Sequence, residues 1–192
     1  MMKKNILRFS LLLFVCSCGI KQELKEKTTG EKQLPSIYQL EGNWKTQDGK
    51  PFSLAQLKGK KQVVAMVFTH CQYACPRIVS DIKKIQSEIN NANKDNVGFV
   101  LVSFDTKRDV PKRLKEFALE EGLGNNWILL HGDEDIIRQF SLLVGVSYQQ
   151  QEDGNFSHSN IISLLDEDGR IMKQQEGLEN NNDEILQQIN GK

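Results

Sequence analysis

Cys71 and Cys75 stand four residues apart, where an apolar run gives way to a helical pattern. Before them Val63-Val64-Ala65-Met66-Val67-Phe68 is short, apolar and rich in β-branched residues, as a buried strand is. After them Ile78, Ile82, Ile85 and Ile89 recur at spacings of four, three and four, one face of an amphipathic helix. The pair is therefore expected in a strand-to-helix turn and the first helical turn. Pro76 suits that place, because early helical N–H groups have no intrahelical partner for it to remove. Those unpaired N–H groups and the helix dipole stabilise negative charge, so a thiolate is favoured there. Two sulfurs so placed can close a disulfide or grip one soft metal ion. Inert buried thiols would need neither this spacing nor this position.

The flanking elements read as an α/β domain. Trp44, Thr46 and Phe52 surround Asp48-Gly49-Lys50, a hairpin signal. Ser53 to Leu57 is a short helical turn. Val97 to Phe104 is a second buried strand; with the first strand and its helix it makes a βαβ unit with parallel strands. Asp109 is expected to cap the next helix, with Pro111 in its first turn and Leu114, Phe117 and Ala118 facing inward. Trp127 to Leu130 is a short strand, and Gly132-Asp133-Glu134-Asp135 opens a helix with acids at its positive end. Val146 to Tyr148 and Phe156 to His158 flank a turn at Asp153-Gly154. Asn160 to Leu165 and Arg170 to Met172 form a hairpin through Asp168-Gly169, and Asp183 to Ile189 closes as a helix.

The N-terminal region reads differently. Lys3, Lys4 and Arg8 precede the short apolar run Leu11 to Val15, an export signal too short to span a membrane. A cysteine follows at once, as in a bacterial lipoprotein signal. Cys18, behind the small Ser17, fits lipidation better than Cys16 behind Val15. Residues 1–18 are thus expected to be a signal ending at the lipidated Cys18, residues 19–34 a flexible polar tether, and residues 35–192 one domain large enough to bury a core. That places the protein in a bacterial cell envelope, anchored to the membrane by lipid and facing the periplasm or exterior, where disulfides can form. The formal net charge of +0, with no basic stretch, excludes nucleic acid as a partner.

The chain resembles the Sco/SenC family of membrane-tethered copper proteins. The resemblance is carried by Phe68-Thr69-His70-Cys71-Gln72-Tyr73-Ala74-Cys75-Pro76, by Val102-Ser103-Phe104-Asp105-Thr106-Lys107-Arg108-Asp109-Val110-Pro111, and by Ser157-His158-Ser159. It runs from about Leu40 to Met172. It implies a thioredoxin-like fold with an N-terminal β-hairpin extension and an inserted hairpin before the C-terminal strands. It further implies that Cys71, Cys75 and His158 bind copper, as Cu(I) and also as Cu(II), for the copper-bearing subunit of cytochrome c oxidase or another copper or thiol protein. Two positions depart from the family pattern: Gln72 stands where proline is usual, and Ser157 where aspartate is usual before the late histidine.

Two thiolates and an imidazole make a soft, low-coordinate site suited to Cu(I), and also able to hold Cu(II) or Zn²⁺. Without the resemblance His158 reads equally well as a surface residue. His70 is expected to point away from Cys71 as an electrostatic neighbour, His131 to lie at the surface, and Asp105 to be either a buried acid near the site or a loop-turn aspartate. The leading reading is a lipid-anchored copper chaperone for oxidase assembly. The alternative is a thiol–disulfide oxidoreductase in which Cys71 attacks, Cys75 resolves and His158 is dispensable. A thiol peroxidase is a weaker third reading, since that chemistry needs neither this cysteine spacing nor a late histidine.

Overall fold

The computed structural model describes residues 35–179 and 181–191. The expected signal, Cys16, Cys18 and the tether lie outside them. Nine strands and four α-helices follow in the order β1 (Trp44–Thr46), β2 (Pro51–Phe52), β3 (Lys61–Val67), α1 (Ala74–Glu88), β4 (Val97–Ser103), α2 (Pro111–Glu120), β5 (Trp127–His131), α3 (Glu134–Leu143), β6 (Tyr148–Gln150), β7 (Phe156–His158), β8 (Ile161–Leu165), β9 (Ile171–Glu176) and α4 (Asp183–Asn190) among the described residues. Seven strands form one sheet in the order β2-β1-β5-β4-β3-β8-β9, while β6 and β7 pair only with each other.

The centre of the sheet is parallel: β3 runs beside β4 from Lys61↔Val97 to Val67↔Ser103, and β4 beside β5. Six of the seven residues in each of β3 and β4 are buried, the near-continuous apolar run of strands covered on both faces. The edges are antiparallel, through β1 on β5 at one side and through β8 on β3 and β9 on β8 at the other. The α/β class and all three expected hairpins are borne out. The first hairpin turns at Asp48-Gly49, where Gly49 adopts φ +74°, the left-handed backbone that favours glycine. Helix α1 presents Cys75, Ile78, Val79, Ile82 and Ile85 to the core, so the face that packs the helix also carries one of the two sulfurs.

One expectation is corrected. The N-cap of α2 is Val110, with no side-chain cap, and Pro111 is its first residue. Asp109 is instead fully buried and turned inward, because donors on two neighbouring strand ends compete for its carboxylate more effectively than the helix terminus does.

Ile82 is fully buried in the middle of α1. Ile82→Ala is expected to cost about 2–5 kcal/mol through lost transfer energy and the cavity left behind. Urea unfolding checks this, as a lower midpoint with an unchanged slope.

Candidate metal and redox centre

The site lies at the carboxyl ends of the central parallel strands, the usual position for function in an open α/β sheet. β3 ends at Val67 and α1 begins at Ala74, so Cys71 sits in the connecting loop and Cys75 is the second residue of the helix. Tyr73, the N-cap, makes no side-chain cap. The backbone N–H of Cys75, one of the orphan donors of the first turn, donates instead to Cys71 Sγ at 3.3 Å. A sulfur thus does the work of a capping oxygen. Cys75 is fully buried, and its Sγ accepts from the Phe68 N–H at 3.4 Å. Cys71 is half-buried, and both thiols are free.

These surroundings split the two thiols. A hydrogen bond from the Cys75 thiol and the backbone N–H groups of Cys75 and Tyr73 together hold Cys71 down at about 4, against the opposing effect of partial burial. The same hydrogen bond to Cys71, with deep burial, pushes Cys75 up. One thiolate therefore faces solvent, and one protonated thiol stands behind it.

His158 ends β7 and pairs with Tyr148. Its Nε2 lies 3.9 Å from Cys75 Sγ, and its Nδ1 lies 3.2 Å from the Ser159 carbonyl oxygen. A proton on Nδ1 donated to that carbonyl leaves the Nε2 lone pair directed at the sulfurs. The ring packs on Phe104 and Phe68, with centroids 5.1 and 6.0 Å apart, and those two with Phe156 and Tyr148 form an aromatic cluster beneath the hairpin. The two sulfurs and one imidazole nitrogen all lie within 4.8 Å of one another. The three residues singled out in the sequence, 83 positions apart between Cys75 and His158, thus converge on one point.

The other candidates separate from that point. His70 is 45% exposed and faces away, with Nδ1 3.6 Å from Asp109 Oδ1, as an electrostatic neighbour should. His131 is only half-buried, but its Nδ1 is enclosed with no hydrogen-bond partner, so it is less of a surface residue than expected. Asp105 is 2% exposed and also accepts the Arg108 N–H within its own turn, so it is both a buried acid and a turn aspartate. The residues that sequence reasoning missed are those that hold the cysteine loop. Asp109 accepts from the Thr69 N–H at 2.8 Å, from Thr69 Oγ1 at 2.6 Å and from Ser103 Oγ at 2.6 Å, and Arg113 Nε donates to Thr69 Oγ1 at 3.0 Å. Polar residues just past β3 and at the end of β4 were the available signal.

The family model SCO1/SenC matches residues 29–192. The chain is 31% identical over 175 residues to the SCO1 protein homolog of Bacillus subtilis, covering 88% of this chain and 86% of that one. A SCO1/SenC family lipoprotein from Bacillus anthracis superposes with a TM-score of 0.70 at 33% identity, over 78% of this chain and 92% of that one. BsSco, described with a disulfide switch and as a member of the Sco family of cytochrome c oxidase assembly proteins, gives 0.67 at 29% identity, over 78% and 90%. ScoI of Bradyrhizobium japonicum, solved with copper bound, shares the fold with a TM-score of 0.65 at 24% identity, over 77% and 94%. A thioredoxin-like α/β domain with a paired thiol at its first helix is thus the class of protein. The chain belongs to the SCO1/SenC family.

Alkylation of the reduced protein by iodoacetamide should modify Cys71 and spare Cys75, with a rate inflection near pH 4 rather than in the ordinary thiol range. Cys75→Ala removes the main stabilising hydrogen bond and should move that inflection upward. A stopped pH series read by mass spectrometry checks both.

Proposed function

We propose that this chain is a membrane-tethered copper chaperone that binds copper through Cys71, Cys75 and His158 and helps assemble the copper centre of cytochrome c oxidase. The observation that carries this reading is the convergence of two sulfurs and one oriented imidazole nitrogen within 4.8 Å. Copper here is cargo. Soft thiolates with a single nitrogen suit Cu(I) in low coordination and also hold Cu(II). The donor set supports the choice, as does the fold shared with a ScoI solved with copper bound. Both thiols must be reduced and lose their protons to take the metal, so loading is linked to redox state and to pH. The half-buried Cys71 gives an incoming ligand access, while the buried Cys75 keeps its hold until exchange is complete.

The partner is the copper-bearing subunit of the oxidase or another copper or thiol protein. BsSco's description as one of the oxidase assembly proteins supports the former. Anchoring at Cys18, with residues 19–34 as tether, follows from the signal pattern and is supported by the lipoprotein from B. anthracis. No helix among the described residues is long and apolar enough to cross a membrane. The resulting location is the bacterial envelope, outside the cytoplasmic face.

A second reading is favoured by the split between the two thiols. An accessible Cys71 thiolate attacks a partner's disulfide, forming a mixed disulfide and releasing one partner thiol. Cys75 then attacks Cys71, releasing the second, so the partner is reduced by two electrons and Cys71–Cys75 is oxidised. His158 has no part in this.

The two readings part in one titration. Cu(I) competed against a chelator should load the reduced protein one-to-one, and His158→Ala should weaken binding at least about tenfold, as loss of even an outer partner of a ligand commonly does. Binding unchanged by the substitution would remove the histidine from the site and leave the oxidoreductase.

A further inference from the structure

The segment from Ser103 to Asp109 touches both halves of the site. Its far end, Asp109, holds the cysteine loop. Its middle holds the histidine hairpin. The Asp105 N–H donates to Ser103 Oγ at 3.1 Å, and its buried carboxylate accepts the Arg108 N–H at 3.1 Å and pairs with Arg108 Nε. From there the Arg108 guanidinium reaches the tip of the β6–β7 hairpin, where it donates to the Gly154 carbonyl. It also lies 5.9 Å from the ring centroids of both Phe68 and Phe156. One end of this side chain is thus fixed by a buried acid and the other grips the hairpin.

The hairpin needs such a grip. β6 and β7 are three residues each and make no ladder with the seven-stranded sheet. A two-stranded ribbon of that size is marginal by itself. Its base is held by the chain running into β8 and by the Ser147–Ser159 hydrogen bonds, and the rest of it by the aromatic cluster and Arg108. The geometry points to Arg108 as a positioning residue, which clamps the hairpin through Asp105 and Gly154 so that His158 Nε2 stays over Cys75. A guanidinium can do this because its planar fork holds two donor nitrogens apart in a fixed geometry, whereas the donors of an ammonium all sit on one atom. The consequence for metal binding rests on the copper reading above, whereas the clamp itself does not.

Four proteins test it: Arg108→Gln, Arg108→Lys, His158→Ala and the Arg108→Gln/His158→Ala double variant. In the metal-free state, hydrogen exchange of the hairpin amides between Tyr148 and His158 should accelerate at least about tenfold in both Arg108 variants, with β3 and β4 unchanged. Arg108→Lys keeps a charge beside Asp105 and should melt near the wild type while losing the clamp. Cu(I) affinity should fall about 10- to 100-fold in Arg108→Gln, with no further loss in the double variant beyond His158→Ala, and with the Cys71–Cys75 reduction potential unmoved. Hairpin exchange at the wild-type rate would overturn the proposal. So would a loss that adds to that of His158→Ala or shifts the potential, since Arg108 would then act on the dithiol or the whole fold. A wild type that binds no copper would sink the copper reading alone, and the exchange rates would still decide the clamp.

Discussion

The carboxylate of Asp109 has no contact with water, and the cysteine loop depends on it. Burying such a group costs several kcal/mol unless hydrogen bonds replace the lost solvent. Here two hydroxyls and one backbone N–H do so, and they come from different strand ends: Thr69 just beyond β3 and Ser103 at the end of β4. Those ends are neighbours because Val67 pairs with Ser103 in the parallel ladder. The carboxylate therefore ties down the loop two residues before Cys71. Arg113, from α2, closes the same arrangement by donating to Thr69 Oγ1, which polarises the hydroxyl that Thr69 in turn donates to Asp109. Sheet register, a buried acid and a helix arginine together fix where the first sulfur lies. The second needs no such device, since it rides on the apolar face of α1.

This difference in support matches a difference in chemistry. Cys75 is locked by packing, by the Phe68 N–H and by its place on the helix, and it is deeply buried. Cys71 sits on a short loop that water reaches, with its negative charge stabilised by the start of α1. A disulfide and a metal site make opposite demands on the same atoms, because a disulfide leaves no thiolate to ligate. The two sulfurs, one held on the loop and one on the helix start, lie within 4.8 Å of each other, where either demand can be met. The histidine arm is separate again, carried on a ribbon outside the main sheet.

Most of the scaffold was legible because its signals are local. The βαβ unit around β3, α1 and β4 announces itself through apolar runs and a helical period, and the hairpins through Asp-Gly turns. The cysteine pair was legible for the same reason. His158 was not, except through resemblance, because no periodicity says that a polar hairpin more than eighty residues on will fold back over a helix start. Asp109 misled for a related reason. An aspartate just before a proline at a helix start satisfies every local rule for a cap. What overrides the rule is a pair of donors delivered by tertiary structure, Ser103 from its own strand and Thr69 from the next. Asp105 stood undecided in sequence for want of the same information, since its 2% exposure reflects what packs around the loop and no local pattern states that.

The two departures from the family pattern can now be weighed physically. Ser157 is exposed, and along a strand successive side chains point to opposite faces, so it lies away from His158. The orientation of the imidazole comes from the Ser159 backbone carbonyl and the aromatic rings beneath it. None of these needs an acid at position 157. Gln72 is likewise exposed, in the loop between the sulfurs. Both changes therefore fall on the outer surface around the site rather than on the groups that aim its ligands. The dithiol, the imidazole and the buried network behind them are the same with either residue at those two positions.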